Sequence, residues 1–343
     1  MTEVADIRQL IAKVTDGNDL DVSEMVYAMR QLMSGGCSDA QIGGLLVALR
    51  SKGESVEEVA AAAKVMRELA SGVQCESTDL LDIVGTGGDG SSTFNVSTTS
   101  ALVAAAAGVK VAKHGNRAVS SSSGAADLLE AAGVNIELDA TDVAYCVDKV
   151  GLGFMFAPRH HGAMRFAIGP RKELGMRTIF NVLGPLTNPA SAPRQVMGVY
   201  SQHLVEPMTQ VLQKLGSVGA MVVHGQDGMD EISIGAPTCV SELKNGRIES
   251  YVIEPEQFSM TTADTAAIQV SSAEESLDMV RQVLDGGTGA ARDIVALNAG
   301  AAIYVAGLAE DHQRGVERAL QLLSDGSVKN KLAELVSCSN EKR

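Results

Sequence analysis

A glycine-rich run that follows a short apolar segment is the strongest chemical signal in the chain. The letters GTGGDG occupy residues 85–90, directly after the apolar residues 80–84. Glycine lets the backbone turn sharply and brings its N–H groups close to phosphate oxygens. The letters NVSTTS at residues 95–100 predict a helix N-terminus, where free N–H groups and the helix dipole favour anions. The pattern indicates a site for a phosphorylated ligand.

The same loop satisfies the G-x-G-x-x-G pattern of dinucleotide-binding folds. That interpretation expects an acidic residue about 20 positions later, at the end of the next strand. The next predicted strand, residues 109–112, ends instead in Lys113 and His114. Asp89 would also repel a bare pyrophosphate unless a divalent cation or a ribose hydroxyl lies nearby. The sequence therefore favours a different phosphate ligand, and a nicotinamide cofactor is the alternative.

A second group of donors follows that strand, in the letters KHGNRAVSS at residues 113–121. Lysine, histidine, asparagine and arginine around a glycine supply the charged and neutral donors that phosphate recognition needs. A solvated surface turn is the alternative. The serines and glycine of residues 120–124 extend the donor surface, and ligand pockets form preferentially at strand ends of this kind. We therefore predict that this loop binds the ligand together with the glycine loop.

Adjacent carboxylates, Asp230 and Glu231, follow the predicted strand at residues 221–223. Such pairs are usually solvated surface residues, but a place after a sheet strand favours a function. Hard oxygen ligands suit Mg²⁺, which commonly binds through one or two carboxylates plus substrate phosphates. Arg171 either binds a second anion, such as a carboxylate, or is a helix-surface charge, and composition does not separate these.

The elements that must position these residues change in kind near residue 72. Residues 1–72 predict helices, with start signals at Asp21, Ser38 and Ser55. From about residue 79 short apolar runs alternate with helical segments, which predicts an α/β fold with a mainly parallel sheet. We therefore expect a small helical domain over residues 1–72 and a larger α/β catalytic domain over residues 73–343. The predicted strands are residues 80–84, 109–112, 134–136, 153–156, 196–200, 221–223 and 251–253.

Composition excludes several classes of function. The net charge of −14 and the scarcity of aromatic residues (3%, no Trp) oppose binding to nucleic acid or an anionic membrane. The five cysteines are scattered without a C-x-x-C pair, so neither a zinc site nor a disulfide framework is indicated. The N-terminus lacks the plan of a signal peptide, and the expected location is the cytoplasm.

In their order along the chain these motifs resemble the anthranilate phosphoribosyltransferase family of tryptophan biosynthesis. The resemblance covers essentially the whole chain. It implies an enzyme that transfers the 5-phosphoribosyl group of phosphoribosyl pyrophosphate to the amine of anthranilate, giving N-(5-phosphoribosyl)anthranilate and pyrophosphate. A pyrimidine nucleoside phosphorylase, which shares the glycine loop, and a non-catalytic phosphate-ligand binder are the alternatives. The motifs are GTGGDG at 85–90, NVST at 95–98, KHGNRAVSS at 113–121, RKELGMRTIFNVLGPLTNP at 171–189 and DE at 230–231.

The resemblance also implies an assignment of residues to ligands. Mg²⁺ corresponds to Ser97, Asp230 and Glu231, and no residue corresponds to a catalytic acid or base. Anthranilate corresponds to Gly85, Asn116 and Arg171. Phosphoribosyl pyrophosphate corresponds to Gly85, Gly88, Asp89, Thr93, Asn95, Val96, Ser97, Thr98, Lys113, His114, Gly115, Asn116, Arg117, Ala118, Val119, Ser120 and Ser121.

The implied architecture places the site in a cleft between the two domains. It includes a homodimer formed through the helices and a packing of residues 160–190 on the helical domain. Ala125 departs from the family pattern, which commonly has serine there, and Gly162 departs from the more usual proline. The first departure puts a side-chain phosphate contact at residue 125 in doubt, and the second loosens one wall of the aromatic pocket.

Overall fold

A computed structural model describes residues 6–118 and 123–341 of the protein. The N-terminal segment contains helices whose start signals are local. The side chains of Asp21, Ser38 and Ser55 each accept a hydrogen bond from the backbone N–H three residues later. The side chain of that later residue accepts the backbone N–H of the capping residue, so the predicted helix starts are confirmed. The helices are α1 (Ile7–Thr15), α2 (Val22–Ser34), α3 (Asp39–Lys52) and α4 (Val56–Leu69).

The rest of the chain is built on one mixed sheet with the strand order β3-β2-β1-β4-β5-β6-β7. Neighbours from β3 to β5 are parallel, whereas β6 and β7 are antiparallel. The predicted mainly parallel α/β fold is confirmed. The strands are β1 (Leu80–Gly85), β2 (Lys110–Gly115), β3 (Leu152–Phe156), β4 (Arg194–Gly198), β5 (Gly219–Gly225), β6 (Thr238–Lys244) and β7 (Arg247–Ile253).

Helices connect most of these strands and close the chain. The strand predicted at residues 134–136 is wrong, because this segment lies outside the sheet, between two helices. The predicted strands also omit β6. The helices are α5 (Val96–Ala106), α6 (Ala125–Ala131), α7 (Ala140–Val150), α8 (Ala157–His160), α9 (Arg165–Leu174), α10 (Phe180–Leu186), α11 (Val205–Lys214), α12 (Ala273–Leu284), α13 (Ala290–Val305), α14 (His312–Ser324) and α15 (Ser327–Ser339).

Successive residues of the strands enter different hydrophobic cores on the two faces of the sheet. On β5, Met221 and Val223 pack in one core with residues of α5 and α13. Ala220 and Val222 pack in the other core, which also contains residues of α1–α4. Both faces of the sheet are therefore covered, as parallel sheets require. The carboxyl ends of the central strands stay at one edge, between the two layers.

Residues of α9 and α10 pack in the same core as the N-terminal helices. Ala167 of α9 and Leu183 of α10 are fully buried there, and Phe166 lies against Gly35 after α2. The division of the chain at residue 72 stays a prediction. Within the described ranges every helix is too short or too polar to cross a lipid bilayer. All five cysteines carry free thiols.

Candidate active site

The glycine loop leaves β1 and immediately contacts the segment after β5. The N–H of Gly87 donates to Oδ2 of Asp230 at 2.6 Å. Gly87 and Gly88 have φ of 67° and 73°, which other residues rarely adopt. A Cβ at Gly85 would collide with the Asp230 carboxylate. Glycine is therefore required here for the turn and for close approach of a carboxylate.

The N-terminus of α5 faces the same place. Asn95 caps the helix, because its Oδ1 accepts the N–H of Thr98 at 2.9 Å. The hydroxyl of Thr98 is buried and has no hydrogen-bond partner within residues 6–118 and 123–341. Thr93 precedes the helix and forms an isolated bridge with Gln269. The helix start thus presents N–H groups and hydroxyls to the space beside the glycine loop.

Lys113, at the end of β2, points into the protein rather than into solvent. Its Nζ donates to the carbonyl of Ile83 at 2.5 Å and lies 3.5 Å from Oγ of Ser97. The residue is only 1% exposed. Burial lowers the pKa of Lys113, whereas the charges of Asp82 and Glu231 act in the opposite direction. A buried ammonium group therefore lies between β1 and the start of α5.

Three carboxylates meet at this edge of the sheet. Burial and the charge of the neighbouring Asp89 together raise the pKa of Asp230 to about 7, although the N–H of Gly87 opposes this. Burial and the charge of Asp230 raise the pKa of Glu231 well above its usual value, although Lys113 and the N–H of Ser97 oppose this. The repulsion identifies a cluster whose negative charge Lys113 compensates only in part. In the part of the chain described, no three His, Cys, Asp or Glu side chains are grouped to hold a metal ion by themselves.

Arg117, whose binding of the donor stays a prediction, forms ion pairs with α6. Its guanidinium donates to Asp127 Oδ1 at 3.1 Å and to Glu130 Oε2 at 2.7 Å, both on α6. The N–H of Ala118 donates to Asp127 Oδ2 at 2.9 Å. The side chain of Arg117 is therefore neutralised within the protein. Val119, Ser120 and Ser121 lie outside the described residues.

Arg171, on α9, lies over the ring of Phe180 with its Cζ 5.1 Å from the centroid. Burial lowers the pKa of its guanidinium, and no hydrogen bond or charge from the described residues shifts it. Asn116 is exposed, and its Oδ1 accepts the N–H of Arg117 at 2.8 Å. An uncompensated guanidinium that is partly buried is suited to binding an anion.

A histidine pair lies between β2 and α8. The rings of His114 and His161 meet edge to face with centroids 5.0 Å apart. Burial lowers the pKa of His161 to about 4, and the neighbouring His160 acts in the same direction. The Nε2 atoms of His114 and His161 are buried without a partner among the described residues. Both rings are therefore neutral at pH 7.

Sequence reasoning missed two groups of residues beside the site. Asp82 is fully buried in β1 and binds the side chain of Asn188. Arg177 donates to the carbonyl of Gly88 and lies over the ring of Tyr200, with 4.0 Å between its Cζ and the centroid. A single carboxylate inside the apolar segment of residues 80–84 was an available signal for Asp82. Arg177 offered no comparable signal, because its partner lies far away in the sequence.

Comparisons with known proteins show the family of the chain. Residues 77–329 match the family model described as glycosyl transferase family, a/b domain, and residues 8–70 match its helical bundle domain. The chain is 56% identical to anthranilate phosphoribosyltransferase of Thioalkalivibrio sulfidiphilus, over 97% of this chain and 98% of the relative.

Solved structures of anthranilate phosphoribosyltransferases are also similar to this chain. The crystal structure of the Thermus thermophilus enzyme of that name has a TM-score of 0.92 and 43% identity, covering 96% of this chain and 99% of that one. The Saccharomyces cerevisiae enzyme, solved in complex with PRPP and Mg, has a TM-score of 0.89 and 26% identity, covering 97% of each chain.

Proposed function

The chain belongs to the anthranilate phosphoribosyltransferases of this glycosyl transferase family, and we propose that it joins anthranilate to the 5-phosphoribosyl group of phosphoribosyl pyrophosphate. The contact between Gly87 and Asp230 is the observation that carries the proposal. It joins a phosphate-type glycine loop to an acidic cluster, with the Lys113 ammonium and the start of α5 beside them. A diphosphate and a cation need these two kinds of group next to each other.

The donor is proposed to bind along the loop after β1, the start of α5 and the end of β2. Gly85, Gly88 and the helix start supply N–H groups for phosphate oxygens. Lys113 supplies a fixed positive charge. Since the Arg117 guanidinium is bonded to α6, we propose that residues 116–118 contribute mainly through the backbone.

The residues proposed for Mg²⁺, namely Ser97, Asp230 and Glu231, fit a hard divalent cation. Hydroxyl and carboxylate oxygens are its preferred ligands, and repulsion among the carboxylates would be relieved by a cation. Because the described residues include no group of three such side chains placed to hold the ion alone, substrate oxygens would complete its coordination. When bound, Mg²⁺ would neutralise charge on the departing pyrophosphate.

Anthranilate is proposed to bind with its carboxylate near Arg171 and its ring near Gly85 and Asn116. The uncompensated charge of Arg171 supports this orientation. The neutral His114 and His161 rings supply aromatic surface between β2 and α8 without adding charge. The site would thus separate a polar half for the donor from an aromatic half for the acceptor.

The proposed reaction requires no general base from the protein. The amine of anthranilate attacks the anomeric carbon, the bond from that carbon to the pyrophosphate oxygen breaks, and the electron pair leaves with pyrophosphate. An aromatic amine is largely unprotonated at neutral pH, and after the attack its extra proton passes to water. The residues around the loops orient the two substrates, and this positioning supplies much of the rate.

The proposal includes a cytoplasmic homodimer. A groove of about 550 Å³ between α1 and α3 supports the dimer, because it is lined by small and apolar residues that include Gly43, Gly44 and Val47. A second copy of the chain is the proposed occupant. The free thiols support a reducing compartment.

A fluorescence assay for phosphoribosyl-anthranilate formation tests the function. Product should form from anthranilate and phosphoribosyl pyrophosphate in the presence of Mg²⁺, and pyrophosphate should appear in equal amount. Absence of turnover would support a non-catalytic ligand binder. Cleavage of a pyrimidine nucleoside with inorganic phosphate would support a nucleoside phosphorylase.

A further inference from the structure

The backbone pairing between strands β1 and β2 stops before it reaches the candidate site. Their pairing ends at Leu81 and Val111, and within the described residues it goes no further. Both strands nevertheless remain in the sheet, because β1 pairs with β4 up to Gly85 and β2 pairs with β3 up to Gly115. A gap in the backbone pairing therefore lies between these two neighbouring strands, at the edge where the glycine loop begins.

The side chain of Asp82 fills this gap and replaces the missing backbone pairing. It is fully buried, and its Oδ1 accepts the N–H of His114 at 3.2 Å. Its Oδ2 accepts Nδ2 of Asn188 at 2.7 Å, and the same amide donates to the carbonyl of Ala112 at 2.8 Å. Asp82 and Asn188 thus fix the end of β2 relative to β1 from both sides of the gap.

Lys113 occupies the same gap. Its ammonium group reaches across to the carbonyl of Ile83 on β1. Asp82 and Glu231 are the carboxylates that face it. Arg67 of α4 is a further cation whose charge acts on Asp82. A buried ammonium without a compensating carboxylate is strongly unfavourable, so Asp82 helps to hold Lys113 in place.

We propose that Asp82 is a positioning residue for the donor: it holds the end of β2 so that the Lys113 ammonium and residues 114–118 face the pyrophosphate. The inference rests on the proposed function, because it concerns the donor's part of that site. Asp82 acts through Lys113 and His114 and does not touch the substrate. Asparagine cannot replace it, since an amide loses the charge and places an N–H₂ group against a donor.

Binding of phosphoribosyl pyrophosphate, measured by calorimetry with Mg²⁺, tests the inference in Asp82→Asn. The Kd should rise at least tenfold, whereas the KM for anthranilate at saturating donor should change by less than twofold. Glu58→Gln is the matched control, because Glu58 is an equally buried carboxylate in the helical segment. It should lower thermal stability and leave the Kd for the donor unchanged.

A folded Asp82→Asn protein that binds the donor within twofold of the unmodified protein overturns the inference. An equal rise in the Kd and in the KM for anthranilate also overturns it, because that result indicates general disruption. If unmodified protein fails to bind phosphoribosyl pyrophosphate, the proposed function fails first, and this inference with it.

If Asp82→Asn does not fold, two other measurements test the inference: donor binding by Asn188→Ala and hydrogen exchange in the unmodified protein. Asn188→Ala removes the second bond to Asp82 and should raise the Kd for the donor at least threefold. An unchanged Kd overturns the inference. In the unmodified protein the His114 amide should exchange its hydrogen as slowly as the paired amides of β2, and rapid exchange contradicts the role of Asp82.

Discussion

The helical segment and the sheet edge both remove carboxylates from water, but they compensate them differently. In the helical segment Glu58 is completely buried, and its oxygens accept the N–H groups of Leu20 and Ser55 at 2.9 and 2.8 Å. The ammonium of Lys52 adds a third bond at 2.8 Å. This carboxylate is satisfied by the protein alone, as expected for a structural charge.

At the sheet edge the compensation is incomplete. Asp230 has the N–H of Gly87 but also faces the negative charge of Asp89. Glu231 faces both of these carboxylates, with Lys113 as the opposing cation. The comparison teaches that burial of a carboxylate does not by itself indicate function. A buried carboxylate without enough hydrogen-bond donors or cations around it does indicate function, because the missing positive charge must come from a ligand.

Removing charge from the sheet edge should give the largest kinetic effect. We predict that Asp230→Asn with Glu231→Gln lowers turnover about a thousandfold, since metal stabilisation of a leaving group is worth several kcal/mol. Thermal stability should stay the same or rise, because repulsion is removed. The check is turnover measured across a magnesium titration together with a melting curve. An unchanged magnesium titration would remove the proposed metal site.

Removing charge from the helical segment should have the opposite pattern. We predict that Glu58→Gln lowers the free energy of unfolding by about 3 kcal/mol, because Lys52 is left without its buried partner. Lys52 keeps a second contact, at 2.5 Å to exposed Asp19. Urea denaturation measures the loss, and steady-state kinetics at 25 °C should stay within twofold. Lower turnover in the folded variant would erase the contrast between the regions.

A methyl group at Gly198 should disturb the acidic cluster without changing its charge. A Cβ there would overlap the carbonyl of Asp230, so the Asp230 backbone must move. Misplacement of about 1 Å lowers rates about 100-fold, and we predict a loss of this size for Gly198→Ala. Gly169→Ala is the control, since a Cβ there meets nothing within 4 Å and φ is ordinary. Equal turnover of both variants would contradict the role of this close approach.

Arg171 extends the comparison to a cation, because it is also partly buried without a partner among the described residues. Arg171→Ala should raise the KM for anthranilate about 10- to 100-fold, which equals about 1.5–3 kcal/mol for one charge-assisted contact. The KM for phosphoribosyl pyrophosphate should change less. Steady-state kinetics with each substrate varied in turn makes the distinction. The reverse pattern would place Arg171 in the donor site.

His161 provides the smallest predicted effect, on stability alone. Its pKa is lowered from 6.5 to about 4. Between these two pH values the imidazole is therefore neutral in the native state but protonated in the unfolded chain. Its contribution is complete above pH 6.5 and is lost as the pH falls towards 4. From pH 7 to pH 5 the loss is about 2 kcal/mol. The free energy of unfolding, measured by urea denaturation, should depend less steeply on pH in His161→Gln than in the unmodified protein. The same pH dependence in both proteins would contradict the lowered pKa of His161.

Local chemistry explains which elements could be predicted from the sequence. Capping residues act within three positions, so the starts at Asp21, Ser38 and Ser55 were readable. The missed β6 also had a local signal, because Asn245-Gly246 joins it to β7 with φ of 52° and 74°, as a tight hairpin turn requires. The apolar alternation at residues 134–136 wrongly predicted a strand. The N–H of Asn135 donates to the hydroxyl of Ser339 on α15 instead of to a neighbouring strand.

The candidate site also contains parts that local sequence motifs predict and parts that they do not. The glycine loop, the α5 cap and the acidic pair are local motifs, and the structure brings Gly87, Lys113 and Asp230 together at one edge of the sheet. Their ligand assignments stay predictions. The bond between Asp82 and Asn188 spans 106 residues, and Arg177 reaches Gly88 over 89 residues. Contacts of this length depend on the tertiary fold, so no window of sequence contains them.

The position of β1 between β2 and β4 has a consequence for synthesis on the ribosome. While the chain is emerging, one side of β1 has no neighbour until residues 194–198 have been made. Until then an apolar strand edge is open to wrong pairing, and the segment that carries Asp230 does not yet exist. Chaperone demand should therefore be greatest for nascent chains of intermediate length, and donor capture should begin only late in translation.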